Sequence, residues 1–377
     1  MSTIPFELFF LLFLNYASQT YQTYTVASTR SKLAGEAIGN NDCVSKLVIC
    51  GGIDEENIGT FMNGVSRNNN IDGLIFVGWD VLNGSVFPYM TPWLRSNNNL
   101  TMLQIVRCNG MGGDGLHLLA AALVSCTSLE HIAIRNCSIE DDNESFQEVI
   151  NALNNNNHTC NQLDVSENNI GRKGCDALAA MLSNPLCELK TLTLSHNNID
   201  DEGVAYLAQG LANNDRLETM DVAKGNPMIT NQGWTSLSKI LCNGKSINDT
   251  FLSNHRLKHL GQRRQRDDLA LYLSLNRAIS DNAIVDPFIP IQKIILCHRN
   301  DWDMKPYIDE DLTLLPYILH WIESAGVLNT NFSGINNRQK RQYRRTLQSF
   351  TNMTLHQFVR AFPIVVVDKL RSTQLTS

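Results

Sequence analysis

Residues 160–182 read CNQLDVSENNIGRKGCDALAAML, and residues 189–211 read LKTLTLSHNNIDDEGVAYLAQGL. The two segments align without a gap: apolar residues occupy positions 1, 4, 6 and 11, and Asn occupies position 9. In both, a glycine is followed by leucine four and eight residues later. The alternation at positions 4 and 6 predicts a short strand, and leucines four residues apart share one helical face. Each segment therefore predicts one strand followed by one helix.

The same frame recurs on both sides of these two segments. Successive units are between 27 and 31 residues long and begin at Val44, Ile71, Leu100, Leu129, Cys160, Leu189 and Leu217. A single strand-helix unit cannot bury its apolar face, whereas stacked units share one continuous core. We therefore expect a right-handed solenoid of about seven rungs, with parallel strands on a concave side and helices outside.

This repeat resembles the ribonuclease-inhibitor-like leucine-rich-repeat family. The resemblance covers about residues 31 to 260 and is strongest from Leu100 to Leu241. It implies an α/β leucine-rich-repeat horseshoe that acts as a scaffold for binding other proteins. From Ser246 onward, the order of segments is similar to the carboxy-terminal region of uncharacterised diatom proteins with these repeats, which implies a shared architecture and no known activity.

The pattern predicts three regions: an apolar amino-terminal segment (1–30), the repeat array (31–260) and a helical carboxy-terminal cap (261–377). Residues 31–42 have the composition of the helix and turn of a further unit whose strand is missing. Helical periodicity at Asp267–Asn276 and Asp311–Ala325 supports the cap, because the open end of a solenoid must be covered.

The apolar run Leu8–Leu14 has the length of a signal-peptide core but is too short to span a bilayer. Glu7 and the absence of Lys or Arg before the run argue against a signal peptide. The ten cysteines form no Cys-x-x-Cys pair, and Cys108 and Cys137 occupy the Asn position of their repeats. Buried thiols fit a reducing compartment. We expect a cytoplasmic protein, or one of the secretory pathway if residues 1–18 act as a signal.

Two local features bear on the helices. Pro88 and Pro92 make the helix of the second unit doubtful, because proline breaks helix interiors. Asn clusters follow most helices, and we expect Asn there to adopt the left-handed turn that ends a helix. These clusters include 68–70, 97–99 and 154–157.

A motif at Gly110–Gly115 (GMGGDG) matches the G-x-G-x-x-G of dinucleotide-binding turns and lies between a predicted strand and a predicted helix. Gly115 is already required by the repeat. Glu130 lies too close in sequence to the glycines to be the acidic residue that such a turn needs. We therefore predict no enzyme activity, no cofactor and no metal site. The alternative is an enzyme or nucleotide-binding protein with its site at the Gly110 turn or in the carboxy-terminal helical region.

The repeat frame also predicts the binding surface. Side chains at positions 2, 3, 5, 7 and 8 face the concave side, whereas positions 4 and 6 face the core. The candidate partner-binding residues of this concave face are Arg107, Arg135, Asp164, Glu167, His196, Asp221 and Lys224. Their mixed charge and the net charge of -6 favour a protein or peptide partner over nucleic acid. We expect a monomer without a stable membrane span.

Overall fold

In the computed structural model, the described residues form a repeating strand-helix array followed by further helices. The described residues are 23–27, 32–50, 55–78, 86–109, 111–124, 126–141, 144–154, 159–261, 266–277, 288–298 and 341. The strands are β1 (Thr23–Ala27), β2 (Lys46–Cys50), β3 (Gly73–Val77), β4 (Met102–Val106), β5 (His131–Arg135), β6 (Gln162–Asp164), β7 (Thr191–Thr193) and β8 (Thr219–Asp221).

Helices alternate with the strands along the array and continue after β8. They are α1 (Lys32–Gly39), α2 (Glu55–Val65), α3 (Phe87–Ser96), α4 (Gly113–Leu123), α5 (Glu144–Leu153), α6 (Arg172–Leu182), α7 (Asp201–Leu211), α8 (Asn231–Leu241), α9 (Ile247–Phe251), α10 (Asp267–Asn276) and α11 (Phe288–His298). The predicted helix at Asp267–Asn276 is confirmed, whereas the one at Asp311–Ala325 lies outside the described residues.

All eight strands lie in one parallel sheet, in the order of the sequence. The strand-helix solenoid is thus confirmed, with one rung more than the seven expected. The additional strand is β1, so the expectation that the unit of residues 31–42 has no strand was wrong. Tyr24 and Val26 pair with Leu47 and Ile49 of β2. Aromatic and β-branched residues replace leucine in β1, so the leucine pattern did not reveal it.

The core is built from positions 4 and 6 of the strands and the apolar faces of the helices. Leu103, Ile132, Leu163 and Leu192, at position 4 of successive units, are each 1% exposed or less. The recurrent glycine of the frame lets the helix start approach the preceding turn. A Cβ at Gly174 would lie 2.5 Å from Cγ2 of Ile170, at position 11 of the same unit.

The repeat that begins at Ile71 does form a helix, α3, despite its prolines. Pro88 lies in the first turn of α3, where the missing N–H has no partner in any helix, and Pro92 lies inside the helix. Met90 and Trp93 are buried, and Thr91 Oγ1 donates to Phe87 O at 2.8 Å. Burial of the apolar face therefore outweighs the one backbone hydrogen bond that Pro92 removes.

Among the described residues, the asparagines after the helices bond neighbouring repeats instead of adopting left-handed turns, so the expectation was wrong for them, whereas 155–157 lie outside the described residues. Asn97, which follows α3, has φ -92° and is 1% exposed. Its Nδ2 donates to Ile71 O of the preceding turn at 3.2 Å, and Asn214 Nδ2 donates to Leu182 O at 2.8 Å. The amide side chain is needed because buried carbonyl groups require a donor.

By its internal contacts the chain divides into two units: 1–236 with 259–263, and 237–258 with 264–377. The first unit contains the whole sheet. The second contains α9, α10 and α11, together with the end of α8. Among the described residues, no helix has the length and apolar composition that crossing a bilayer requires.

Candidate functional site

The strand pairing places the position 5 residues in one row across the sheet. Gln104 pairs with Ala133, Ala133 with Asp164, Asp164 with Thr193, and Thr193 with Asp221. Parallel strands lie about 4.8 Å apart, so the row from β4 to β8 is about 20 Å long. Asp164 and Asp221 are both partly exposed, as expected for the concave face.

Position 8, which follows each strand, has an unusual backbone conformation. Arg107, Asn136, Glu167 and His196 have φ between 51° and 59°, in the left-handed region that glycine adopts most easily. The cause is a repeated backbone hydrogen bond: each of these N–H groups donates to a carbonyl of the next repeat. For example, Glu167 N lies 2.9 Å from Ser195 O, and His196 N lies 2.8 Å from Lys224 O.

The last repeat departs from the predicted frame at this position. In the earlier repeats, the accepting carbonyl belongs to the residue just before position 8 of the next repeat, as Ser195 precedes His196. His196 N donates to Lys224 O, so the residue after Lys224 is the structural equivalent of His196. That equivalent is therefore Gly225 (φ 71°), and not Lys224 as the sequence frame predicted. Ala223 is an inserted residue, so the position 9 asparagine of this unit is Asn226. Lys224 is nevertheless exposed at this end of the concave face.

Three of the predicted residues form one mixed-charge group. Arg135 Nη2 lies 2.9 Å from Glu167 Oε1, and Arg135 Nε lies 3.4 Å from Asp164 Oδ2. The hydrogen bond from Arg135 lowers the pKa of Glu167, and the nearby His196 and Arg107 act in the same direction. The side chains are exposed enough that solvent screens these attractions, so the ion pairs contribute little to stability.

Three other predicted residues, Asp221, His196 and Lys224, lie near one another. Burial raises the pKa of Asp221, with a contribution from the charge of Asp164, while Lys224 and His196 oppose the rise. Among the described residues, Asp221 Oδ1 is a buried oxygen without a hydrogen-bond donor. Ion pairs or nearby charges thus connect neighbouring members of the predicted set, from Arg107 at one end to Lys224 at the other.

Position 3 adds residues that the sequence analysis did not include. Lys46, His131 and Gln162 lie in a second row across the sheet, and His131 pairs with both Met102 and Gln162. Burial lowers the pKa of His131, and Asp164 partly opposes this. The repeat frame assigns position 3 to the concave face, so this row could have been predicted from the sequence.

The turn at Gly110, which the sequence analysis considered as a nucleotide site, is only partly described. Gly110 lies outside the described residues, and α4 begins at Gly113 with Gly112 as its N-cap. A Cβ at Gly112 would have no heavy atom of the described residues within 4 Å, so close packing against them does not require this glycine. Within the described part of the chain, no group of three or more His, Cys, Asp or Glu side chains could hold a metal ion.

Comparison with known protein families decides the identity of the repeat. A family model described as "Leucine Rich repeat" matches residues 156–179 and 187–208, the two segments with the clearest frame. The pig (Sus scrofa) ribonuclease inhibitor is 27% identical over 198 residues, covering 45% of this chain and 42% of the inhibitor. The chain carries ribonuclease-inhibitor-like leucine-rich repeats.

Other relatives of this leucine-rich-repeat protein are much longer. The mouse (Mus musculus) NACHT, LRR and PYD domains-containing protein 12 is 31% identical over 195 residues, covering 51% of this chain and 17% of that protein. The mouse NACHT, LRR and PYD domains-containing protein 5 is 33% identical over 125 residues, covering 33% of this chain and 10% of its own length. The chain thus spans less than half the length of each of these relatives.

Proposed function

We propose that this leucine-rich-repeat protein is a scaffold that binds a folded protein or peptide on its concave face, without catalysing a reaction. The observation that carries the proposal is the left-handed backbone at position 8. Gly78 and Gly225 occupy this position in two repeats, whereas Arg107, Glu167 and His196 occupy it in others. A non-glycine residue there costs about 1 kcal/mol.

Side chains kept at a cost in stability point to a role outside folding. Arg107, Glu167 and His196 are all exposed, so no core contact compensates for the backbone conformation. Each follows a strand, at a position that the repeat frame assigns to the concave side. A partner that contacts these three side chains would explain why glycine is not used at these positions.

The charge pattern favours a protein partner. The concave face alternates basic and acidic groups, as in the contact of Arg135 with Glu167 and Asp164, whereas nucleic acid requires a continuous basic surface. Interfaces between proteins combine such pairs with apolar contacts. The name of the pig relative states that it inhibits a ribonuclease, which is itself a protein. Monomeric state and cytoplasmic location stay predictions.

The test is a triple variant, Arg107→Gly with Glu167→Gly and His196→Gly, compared with the wild-type chain. Glycine removes the three side chains and suits the left-handed backbone, so the melting temperature should stay equal or rise. Binding should fall by at least about tenfold, because the loss of central contacts costs more than about 1.4 kcal/mol. Capture from native lysate with quantitative mass spectrometry, followed by titration of the purified captured protein, measures this loss.

The matched control changes three exposed residues on the helices: Lys173→Ala, Asp176→Ala and Gln209→Ala. It should retain the partners that the wild-type chain captures. If the glycine variant melts normally and binds every partner with wild-type affinity, the concave-face proposal is wrong. If the control loses the partners and the glycine variant does not, binding belongs to the helical side.

A further inference from the structure

Two cysteines of the carboxy-terminal unit, 237–258 with 264–377, lie in direct contact although they are far apart in sequence. Cys242 follows the last residue of α8, and Cys297 lies in the last turn of α11. Their Sγ atoms are 2.7 Å apart, and both residues have free thiols. Tyr272 of α10 approaches the same place, with its Oη 3.9 Å from Cys297 Sγ. Three helices thus bring a dithiol and a phenol together.

A buried lysine lies one turn before Cys297 on the same helix. Lys293 is 0% exposed, and its Nζ donates to Leu241 O at 2.6 Å and Asn254 O at 2.9 Å. His255 Nδ1 lies 3.0 Å from the same Nζ. When protonated, the lysine therefore places a positive charge near the dithiol, and the acceptors hold its Nζ in position.

These neighbours distinguish Cys297 from the cysteines of the repeats. The hydrogen bond from Cys242 lowers the pKa of Cys297 to about 7, and Tyr272 and Lys293 act in the same direction against the effect of burial. The same hydrogen bond, with burial, raises the pKa of Cys242. In the repeats, burial raises the pKa of Cys160 to about 12 and also raises that of Cys175.

We propose that Cys242 and Cys297 form a redox-sensitive dithiol, which hydroperoxides such as hydrogen peroxide oxidise to a disulfide between α8 and α11. Cys297 is the residue that reacts with the peroxide first, because it is partly exposed while Cys242 is only 7% exposed. Peroxide is small enough to reach a partly exposed sulfur, and the thiolate is the reactive form of cysteine.

The chemistry balances in two steps. The Cys297 thiolate attacks one peroxide oxygen, the O–O bond breaks, and a sulfenic acid forms as hydroxide leaves and takes up a proton to become water. Cys242 then attacks the Cys297 sulfur, the S–O bond breaks, the S–S bond forms, and a second water carries away the oxygen and the thiol proton. Two thiols and one peroxide thus give one disulfide and two waters.

The test uses the full chain with Cys43→Ser, which removes an exposed thiol. The protein is treated with hydrogen peroxide at neutral pH, alkylated with iodoacetamide in denaturant, digested without reduction and analysed by mass spectrometry. We expect a cross-linked peptide pair that contains Cys242 and Cys297 and that dithiothreitol separates. Without peroxide, native Cys297 should react with iodoacetamide at least about tenfold faster than Cys160 or Cys175.

Two variants separate the steps. Cys242→Ser should prevent the cross-link and leave a sulfenic acid at Cys297 that dimedone labels. Cys297→Ser should prevent both the cross-link and the dimedone labelling. Tyr272→Phe should slow alkylation of Cys297 and move its pH profile to higher pH. The proposal is overturned if both cysteines of the parent protein remain separately alkylated after peroxide, or if other cysteine pairs cross-link to the same extent.

Discussion

Asn226 Oδ1 lies 3.1 Å from the backbone N of Asn197, and Asn197 Oδ1 lies 3.1 Å from the backbone N of Ile170. Each buried asparagine thus accepts a hydrogen bond from the turn of the preceding repeat. Its Nδ2 group donates to carbonyl groups of its own repeat and the preceding one, as Asn197 does to Leu194 O and Val165 O. The turns of successive rungs are held together by side-chain amides.

Asn197→Ala is expected to lower the free energy of unfolding by about 2–4 kcal/mol, because it leaves several buried backbone groups without partners. Asn198→Ala is the matched control, since Asn198 is the next residue and is exposed. The control should change the stability by less than about 0.5 kcal/mol. Urea denaturation of both variants makes the comparison, and equal stabilities would refute the role of the amide ladder.

Gly225→Ala should destabilise the protein more than Gly78→Ala. Both glycines have a positive φ, so alanine pays the left-handed backbone cost of about 1 kcal/mol at either position. A Cβ at Gly225 would also overlap the imidazole and Cα of His196, whereas a Cβ at Gly78 would have no heavy atom of the described part of the chain within 4 Å. Thermal denaturation of the two variants should place Gly225→Ala at the lower melting temperature, and the opposite order would contradict the corrected register.

Asp221→Asn should raise the free energy of unfolding at neutral pH. Because the folded-state pKa of Asp221 is raised by burial, its charged form is destabilised in the folded protein. Stability from this group increases as the pH falls through the folded pKa, so the advantage of the asparagine variant should shrink in acid. Denaturation at several pH values measures the difference. Asp215→Asn, at an 82% exposed side chain, should show no such trend.

Lys293 should make stability increase with pH above neutrality. Burial lowers its pKa from 10.5 to about 7, so between these values the unfolded chain binds more protons than the folded one. Below about pH 7 both states are protonated and the cost of the buried charge is fully present. Lys293→Met should flatten the pH dependence between pH 7 and 10.

The comparison is made in a Cys297→Ser background, because Cys297 also titrates in this pH range. An unchanged slope in Lys293→Met would show that the buried ammonium is not the source of the pH dependence.

The repeat frame was enough to predict the strand-helix order and the core of the repeat array. It succeeded because a period of about 29 residues and buried leucines at positions 4 and 6 leave only one face of each strand for solvent. It failed at β1, where Tyr24 and Val26 replace leucine, and at α3, where burial outweighs the effect of Pro92.

Only the tertiary structure showed how residues of different repeats meet. The sequence contains the inserted residue Ala223, but only the hydrogen bond from His196 N to Lys224 O assigns Gly225 to position 8. Likewise, Cys242 and Cys297 are 55 residues apart, and no periodicity connects them. Local patterns determine which face of a strand or helix is apolar, whereas contacts between distant residues depend on how the whole chain packs.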